Sequence, residues 1–329
     1  MITSTMMSAT ALMKPSALVQ RFRSGSHSEA FRRVGSIAWL PGLGLGVPPI
    51  GYRPAPCTTL PDSLGRIGNL ELRLAKSPGE VKQAQRLRYQ VFFEELSAIP
   101  SSAAMIARRD MDEFDAICDH LLVLDHSVRG GKFTLAKPTV VGTYRLLRAD
   151  VADINWGFYT SSEFGLGALM NRHPGLRFLE LGRSCVSKPY RDKRTVELLW
   201  RGIYQYVIGH GIDVMVGCAS LDGIDPNRLA LPLSYLHHFH SAPEAWHVAA
   251  LPDRAVAMDR LPREAVDPRV ALRSLPPLIK GYLRLGAYIG EGAVVDHQFG
   301  TTDVCIVLPV SALNQRHVNH YGSVAPHQA

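Results

Sequence analysis

Cysteine is scarce in this sequence, and its spacing excludes two common kinds of site. The 329 residues contain five cysteines, which are well separated and form no Cys-x-x-Cys pair. This arrangement excludes a disulfide framework and a thiolate zinc site as the basis of the fold. Adjacent helical residues point about 100° apart, so His237 and His238 do not converge on one ion. We expect a reducing, cytosolic compartment and no bound metal.

Long apolar runs are also lacking. Residues 34–52 carry no charge, but three prolines and five glycines interrupt them, so they do not form a membrane-spanning helix. Over residues 1–60, Glu29 is the only acidic residue against six Lys or Arg. This composition is typical of a transit peptide, but a disordered or over-long tail covering residues 1–68 is the simpler interpretation. We expect a second, short tail at residues 323–329.

Positive charge is what the sequence has in excess. It contains 36 Lys and Arg against 29 Asp and Glu, which gives a net charge of +7. An excess of this sign favours an acidic partner, and four kinds are open on charge alone: nucleic acid, anionic lipid, a phosphate-bearing cofactor or an acidic carrier protein.

Alternating and apolar segments predict a sheet with helices between its strands. LELRLAK (70–76) alternates like a strand, and Ser77 followed by Pro78 is typical of a helix start. A second helix is predicted from Thr195 to His210, with Gly211 as its end. Further strands are predicted at 120–125, 138–147, 178–186, 212–220, 248–260 and 301–310, and further helices at 162–170 and at 225–239, the latter interrupted by Pro232. This order predicts an α/β fold with a mixed sheet.

A basic turn joins the strand that ends at Val186 to the helix that begins at Thr195. The first turn of a helix has free N–H groups and the positive end of the helix dipole, which together bind phosphate. Arg191, Lys193 and Arg194 add positive charge here, and Thr195 adds a hydroxyl. The turn therefore predicts a phosphate site, with a solvated basic loop as the alternative.

Charged residues also occur at positions where a sheet protein is expected to be apolar. Arg88 lies on the apolar face of the first predicted helix, so it needs an anion or must reach water. Asp112 and Asp115 are three residues apart, and two carboxylates of this kind suit an ammonium group. Arg145 lies in a predicted strand, for which a solvent-facing position is the simpler interpretation.

Several of these segments together resemble a known superfamily. The order of LRYQVF (87–92), DEFD (112–115), GTYRLL (142–147) and ELGR (180–183), followed by the basic turn and helix, resembles the N-acyltransferases of the GNAT superfamily. The longer stretches LLWRGIYQYVIGHGIDVMVGCAS (198–220), LSYLHHFH (233–240), PPLIKGYLRLGA (276–287) and DHQFGTTDVCIVLP (296–309) resemble the bacterial L-ornithine N-alpha-acyltransferases, which make the lyso form of ornithine lipid. The acyl-homoserine-lactone synthases are a related group.

The resemblance implies a GNAT-like mixed central sheet flanked by helices, and it assigns roles within it. It implies transfer of a (3-hydroxy)fatty acyl group from acyl carrier protein to the alpha-amine of L-ornithine. Glu180 is then the expected base or proton relay, and Arg183 and Arg145 are expected to hold a carboxylate or the developing oxyanion. Arg88 is expected to lean toward the same pocket, and Asp112 and Asp115 to select the distal ammonium. The alternative is an internal ion-pair network that joins helix to sheet.

The basic turn departs from the usual pyrophosphate loop of the superfamily, because Arg191-Asp192-Lys193-Arg194-Thr195 contains no glycine. This fits a donor with one phosphodiester, the 4′-phosphopantetheine arm of acyl carrier protein, rather than coenzyme A. We expect Arg191, Lys193, Arg194 and Thr195 to bind that arm, and no permanently bound cofactor.

The resemblance also implies a division of the chain and a set of partners. We expect a GNAT-like core at 69–245 and a C-terminal extension at 246–322 that completes the acyl and substrate pocket. The expected partners are acyl carrier protein, an amino acid and the inner leaflet of the bacterial cytoplasmic membrane, without nucleic acid, for a protein of the bacterial cytoplasm. Two alternatives stay open: a homoserine-lactone synthase that uses S-adenosylmethionine, and a non-enzymatic, haemolysin-like protein of lipid surfaces.

Overall fold

The structure, a computed structural model, describes residues 60–96, 98–127 and 138–313. All of them belong to one compact unit of the chain, Pro48–Ala329. The predicted tail at 323–329 and most of the tail predicted at 1–68 lie outside the described residues. No helix within the described ranges is both long and apolar enough to cross a bilayer.

The described residues contain a mixed sheet of nine strands. From one edge to the other, their order is β1-β2-β3-β4-β5-β6-β9-β8-β7. Every neighbouring pair is antiparallel except β5 and β6, which are parallel. The strands are β1 Gly65–Ile67, β2 Leu70–Leu74, β3 Asp119–Asp125, β4 Thr139–Arg148, β5 Phe178–Val186, β6 Val214–Asp222, β7 Ala255–Val256, β8 Tyr288–Asp296 and β9 Thr301–Pro309. The predicted α/β fold with a mixed sheet is confirmed.

Helices cover both faces of this sheet. They are α1 Pro78–Tyr89, α2 Ser102–Ala107, α3 Ala149–Ala152, α4 Leu166–Arg172, α5 Lys193–His210, α6 Ala230–His240, α7 Pro268–Ser274 and α8 Pro277–Leu285. Residues 120–125 of β3 are all buried, because successive side chains face two different layers and both layers are covered. Leu121 and Val123 belong to the cluster that contains α5, whereas Leu122 and Leu124 belong to the cluster that contains α1. Because both faces of the central strands are covered, their sequences are mostly apolar at successive positions.

The local signals placed several element ends correctly. Ser77 is the N-cap of α1, where its hydroxyl accepts the N–H of Glu80, and Pro78 is the first helical residue. Gly211 ends α5 with φ 57°, a left-handed backbone that glycine adopts without strain.

The structure corrects the expected elements in four places. The sheet begins earlier than expected, because Gly65–Ile67 pairs with β2 as an edge strand. Within 248–260, only Ala255–Val256 is a strand. Pro232 is the third residue of α6, where a missing N–H costs no helical bond, so it does not interrupt that helix. Tyr288–Asp296 forms a strand that the sequence analysis missed. Helix α8 ends just before it, at Gly286, whose φ of 97° is in the left-handed region.

Strands β5 and β6 separate along their length, and this separation positions the site. They pair only at Phe178–Val214, Leu179–Met215 and Glu180–Val216, although both strands continue for six more residues. Gly217 lies where they part, and a Cβ there would stand 2.4 Å from the carbonyl oxygen of Leu181. Gly217 therefore marks both the close approach of β6 to β5 and the point beyond which the two strands separate.

Candidate active site

A cavity of about 490 Å³ occupies the opening between β5 and β6. Glu180 and Arg183 line it from β5, and Cys218 lines it from β6. Phe299, in the turn between β8 and β9, and Asp303 of β9 also line it. The cavity thus collects charged side chains from strands that are distant in sequence.

Glu180 is the last residue of β5 that pairs with β6, and its carboxylate is buried, with 4% of the residue exposed. The carboxylate accepts the backbone N–H groups of Tyr159, at 3.1 Å, and of Thr160, at 2.6 Å. Burial raises the pKa of Glu180 above its ordinary value, against the opposing effects of these hydrogen bonds and of Arg145. A carboxylate in this position is a stronger base than one in water.

Arg183 lies in a β-bulge. Between the pairs Thr143–Cys185 and Arg145–Gly182, one residue of β4 faces two residues of β5. Arg183 has φ 49°, in the left-handed region, which is uncommon for a residue with a side chain. Such backbone strain is typical of sites where a side chain has to be aimed.

The Arg183 guanidinium is held by aromatic rings as well as by acids. It lies 4.8 Å from the ring centre of Tyr159 and 4.7 Å from that of Phe299, both in the range of a cation–π contact. Its nitrogens are 3.5 Å from the carboxylate of Asp110 and 3.4 Å from that of Asp112. The Arg183 side chain also lines the cavity, so these contacts orient it and still leave it accessible to a ligand.

A buried ion network lies behind Arg183. Arg88, which is fully buried, binds the carboxylate of Asp110 at 2.7 Å and that of Asp115 at 2.8 Å. Arg145 binds Asp112 at 2.5 Å and Asp115 at 3.3 Å. Burial opposes ionisation of Asp115, but Arg88 and Arg145 outweigh it and hold its pKa well below the ordinary value. The network joins α1 to β4 through the residues at 110–115.

This geometry bears on the four residues expected to bind substrate. Arg145 lines the cavity, whereas Arg88, Asp112 and Asp115 do not. Asp112 and Asp115 also cap each other's backbone N–H groups. Their contacts are those of the alternative interpretation, a network that joins helix to sheet, and their contact with substrate stays a prediction.

The basic turn lies at the edge of the cavity. Arg191 pairs with Glu95 at 2.5 Å, and Glu95 lines the cavity. Lys193 and Arg194 are exposed and do not line it. Thr195 is fully buried, and its N–H donates to the carboxylate of Asp192 at 2.9 Å.

The N-terminus of α5 is therefore already capped by an acid, Asp192. Because Asp192 takes the N–H of Thr195, the third helical residue, and adds negative charge at the helix start, a phosphate at this junction depends mainly on basic side chains, chiefly Arg191. Donor binding by Arg191, Lys193, Arg194 and Thr195 stays a prediction.

Comparison with known proteins assigns the chain to a family. A family model described as an acetyltransferase (GNAT) domain matches residues 87–201. The L-ornithine N(alpha)-acyltransferase of Rhizobium meliloti (strain 1021) is 55% identical over 264 residues, which cover 80% of this chain and 88% of the relative. The chain belongs to the L-ornithine N(alpha)-acyltransferase family.

A second member of the family, from Agrobacterium fabrum (strain C58), is 53% identical over 79% of this chain and 88% of its own length. Among solved structures, an N-acyl amino acid synthase from uncultured soil microbes has a TM-score of 0.44 and 11% identity, over 75% of this chain and 97% of that one.

Sequence reasoning about this acyltransferase missed an acidic part of the site. The Cys218 thiol lies 3.3 Å from the carboxylate of Glu163, and one ligand atom each of Glu163, Cys218 and Asp303 lies within 4.8 Å of the others. Burial raises the pKa of Glu163 and that of Asp303. The available signal was an acid inside the otherwise apolar TTDVCIVLP, because a charged residue in a buried strand needs a reason to be there.

Proposed function

We propose that this acyltransferase moves a (3-hydroxy)fatty acyl group from the thioester of acyl carrier protein to the alpha-amine of L-ornithine. The names of its relatives support the reaction and the acceptor. The observation that carries the proposal is the cavity where β5 and β6 separate, with Glu180 and Arg183 on one wall. There, a thioester and an amine meet beside a buried base.

The chemistry follows from those two residues. The ornithine amine is protonated in water, so it has to lose a proton before its nitrogen attacks the thioester carbonyl. Glu180, directly or through one water, accepts that proton. That first proton is released to solvent, and the amine nitrogen forms the C–N bond with the thioester carbonyl. As the C–S bond breaks, the same nitrogen loses a second proton, which Glu180 passes on to the leaving thiolate of the pantetheine arm.

The bulge in β5 suits the developing negative charge. Arg183 and Ser184 together face a single residue of β4, so the regular pairing of their backbone N–H groups is interrupted. An N–H group that points into the cavity stabilises the oxyanion of the tetrahedral intermediate. The Arg183 guanidinium, held between two rings, then binds the carboxylate of the amino acid.

The donor side of the proposal rests on charge. Arg191 lies at the cavity edge through its pair with Glu95, and Lys193 and Arg194 extend the positive surface outward. A phosphodiester at the end of a pantetheine arm and an acidic carrier protein both suit this surface.

The chemistry of the product favours a location at the inner face of the cytoplasmic membrane. The acylated amino acid has one chain and a charged head, so it partitions into a lipid surface. Leu96 lines the cavity and is exposed, and Ile99 and Ile106 nearby in sequence are exposed as well. These side chains offer an apolar rim for an acyl chain that leaves the cavity for the bilayer.

The test is a reconstitution with defined donors and acceptors. Purified protein is incubated with acyl carrier protein thioesters or coenzyme A thioesters, and with L-ornithine, S-adenosylmethionine or a panel of free amino acids. We expect N-alpha-acylornithine by mass spectrometry, and higher kcat/KM with the carrier protein thioester. An acyl-homoserine lactone, or no acylated product from any pair, refutes the proposal.

A further inference from the structure

The part of the cavity lining that comes from β8 and β9 carries carboxylates that the transfer chemistry does not use. Asp303, the third residue of β9, lines the cavity with only 6% of the residue exposed. Asp296 lines the cavity from the end of β8. The Glu163 carboxylate lies behind them, within 4.8 Å of a carboxylate oxygen of Asp303.

The Asp303 carboxylate makes no ion pair within 4 Å among the described residues, although the charge of Arg183 favours its ionised form. It accepts the hydroxyl of Thr301 at 2.9 Å and a side-chain hydrogen bond from Ser220. By contrast, Glu163 is paired with Arg254 at 3.4 Å. An ionised carboxylate that is buried without a cation is costly, and here a second acid lies beside it. A cation that enters the cavity beside Asp303 therefore offsets the cost of ionising a carboxylate in this buried position.

The cavity thus contains both signs of charge. Arg183 provides positive charge, and Asp303 with Asp296 provides negative charge. The Cys218 thiol, within 4.8 Å of a carboxylate oxygen of Asp303, is 3.6 Å from the hydroxyl of Thr160, whose N–H donates to Glu180. A ligand with a carboxylate, an amine near Glu180 and a second, distal cation matches this arrangement.

We propose that Asp303 binds the side-chain ammonium of the amino acid and so selects diamino acids over amino acids with neutral side chains. This inference rests on the proposed function. It gives to Asp303 the role that the sequence suggested for Asp112 and Asp115, whose carboxylates are occupied by arginines.

The experiment compares L-ornithine with L-norvaline, which has the same carbon chain without the terminal amine. In Asp303→Asn, we expect kcat/KM for ornithine to fall by roughly 10- to 100-fold, mainly through KM, because one charge-assisted hydrogen bond is lost. For norvaline, kcat/KM is expected to stay within about twofold of wild type, because it makes no such bond. An equal loss on both substrates, or an unchanged preference, overturns the proposal.

Two further variants make the result specific. Asp112→Asn is measured with the same pair, and if it removes the preference while Asp303→Asn does not, the assignment made from the sequence is right. Asp222→Asn, at an exposed acid that also lines the cavity, is the matched control and is expected to keep the preference.

A variant that keeps the carboxylate covers the case in which Asp303→Asn does not fold. Thr301→Val removes the hydroxyl that orients Asp303, and we expect a severalfold loss of the preference for ornithine. An unchanged preference in folded Thr301→Val counts against the proposal.

Failure of the proposed function is recognised separately. A wild-type protein that acylates no amino acid refutes the transferase reaction itself. A wild-type protein that acylates ornithine and norvaline equally well refutes only the role of Asp303.

Discussion

At the scale of single residues, the proposed reaction depends on one buried carboxylate. Glu180 accepts two backbone N–H bonds and has a raised pKa, so it is held in place and is more basic than a carboxylate in water. Arg183, which lines the same cavity, is oriented by a strained backbone and by two aromatic rings. The proposed base is therefore fixed by hydrogen bonds, and the arginine by contacts with aromatic rings.

Replacing Glu180 by Gln is expected to lower kcat by about 10²- to 10⁴-fold, the usual contribution of a general base. The base works when ionised, so the wild-type rate rises with pH through the raised pKa of Glu180, and this limb is absent from the variant. The measurement is kcat/KM against pH for both proteins. A variant with near wild-type rates at every pH rules out Glu180 as the base.

Asp115 is expected to matter for stability. Asp115→Asn leaves Arg88 and Arg145 with less negative charge in a buried place, and we expect a loss of about 3–5 kcal/mol in the free energy of unfolding. Urea unfolding monitored by circular dichroism measures it. A loss below about 1 kcal/mol would show that the buried ion network does not depend on the charge of Asp115.

The same carboxylate predicts a pH dependence. Because the folded-state pKa of Asp115 is lowered, its contribution is present above the ordinary pKa of an aspartate, about 3.9, and is lost as pH falls below that value. Between about pH 5 and pH 2, wild type is therefore expected to lose more unfolding free energy than Asp115→Asn. Parallel pH profiles would contradict this assignment.

At the scale of elements, the opening of the cavity depends on how closely β6 approaches β5 before they separate. Gly217→Ala places a Cβ 2.4 Å from the Leu181 carbonyl, so backbone has to move. We expect a loss of about 1–3 kcal/mol in stability and a clear loss of kcat. Thermal unfolding and the acyl-transfer assay measure the two effects.

Gly281→Ala is the matched control for that change. Gly281 lies within α8, and a Cβ there meets nothing within 4 Å. Alanine favours helix over glycine by about 0.5–1 kcal/mol, so this variant is expected to gain slightly in stability and keep its activity. If both glycine variants behave alike, the close approach at Gly217 is not what matters.

Local signals in the sequence predicted many elements, and contacts between distant segments account for those it missed. Phe178–Val186 was predicted because its apolar run is visible in one window, and Gly211 because it follows a periodic helix. The bulge at Arg183 and the separation of β5 from β6 at Gly217 depend on the register of neighbouring strands. No single sequence segment determines that register.

The residues of the candidate site likewise divide into those that the sequence predicted and those that it missed. Glu180 and Arg183 were predicted through a family resemblance; both line the cavity, and their roles stay predictions. Asp303 was missed because its place beside Cys218 arises only when β9 pairs with β6. The ion partners of Arg88 likewise come from residues over twenty positions away, so its isolated sequence context showed the need for an anion but not its identity.

At the scale of the whole molecule, basic and acidic side chains lie in different parts of the site. Basic side chains are on the outer edge of the cavity at the start of α5, whereas acids of β8 and β9 line the cavity. If the proposed donor is right, this distribution directs an acidic carrier protein and a cationic amino acid to different parts of the site.

Reversing the outer charge is expected to weaken donor use alone. For the double variant Lys193→Glu with Arg194→Glu, we expect KM for the carrier protein thioester to rise by roughly 10-fold at low salt, and less at high salt. KM for ornithine should not change. Arg269→Glu, at an exposed arginine of α7, is the control; an equal effect there would assign the change to net charge.

The position of β9 has a consequence for how the enzyme is made. β9 lies between β6 and β8 and pairs with β6 along nine residues, yet the ribosome synthesises it after every other strand of the sheet. Until β9 emerges, the open side of β6 is an unprotected edge that can pair with other chains. The cavity, which Asp303 of β9 helps to line, is therefore complete only after this strand has been synthesised.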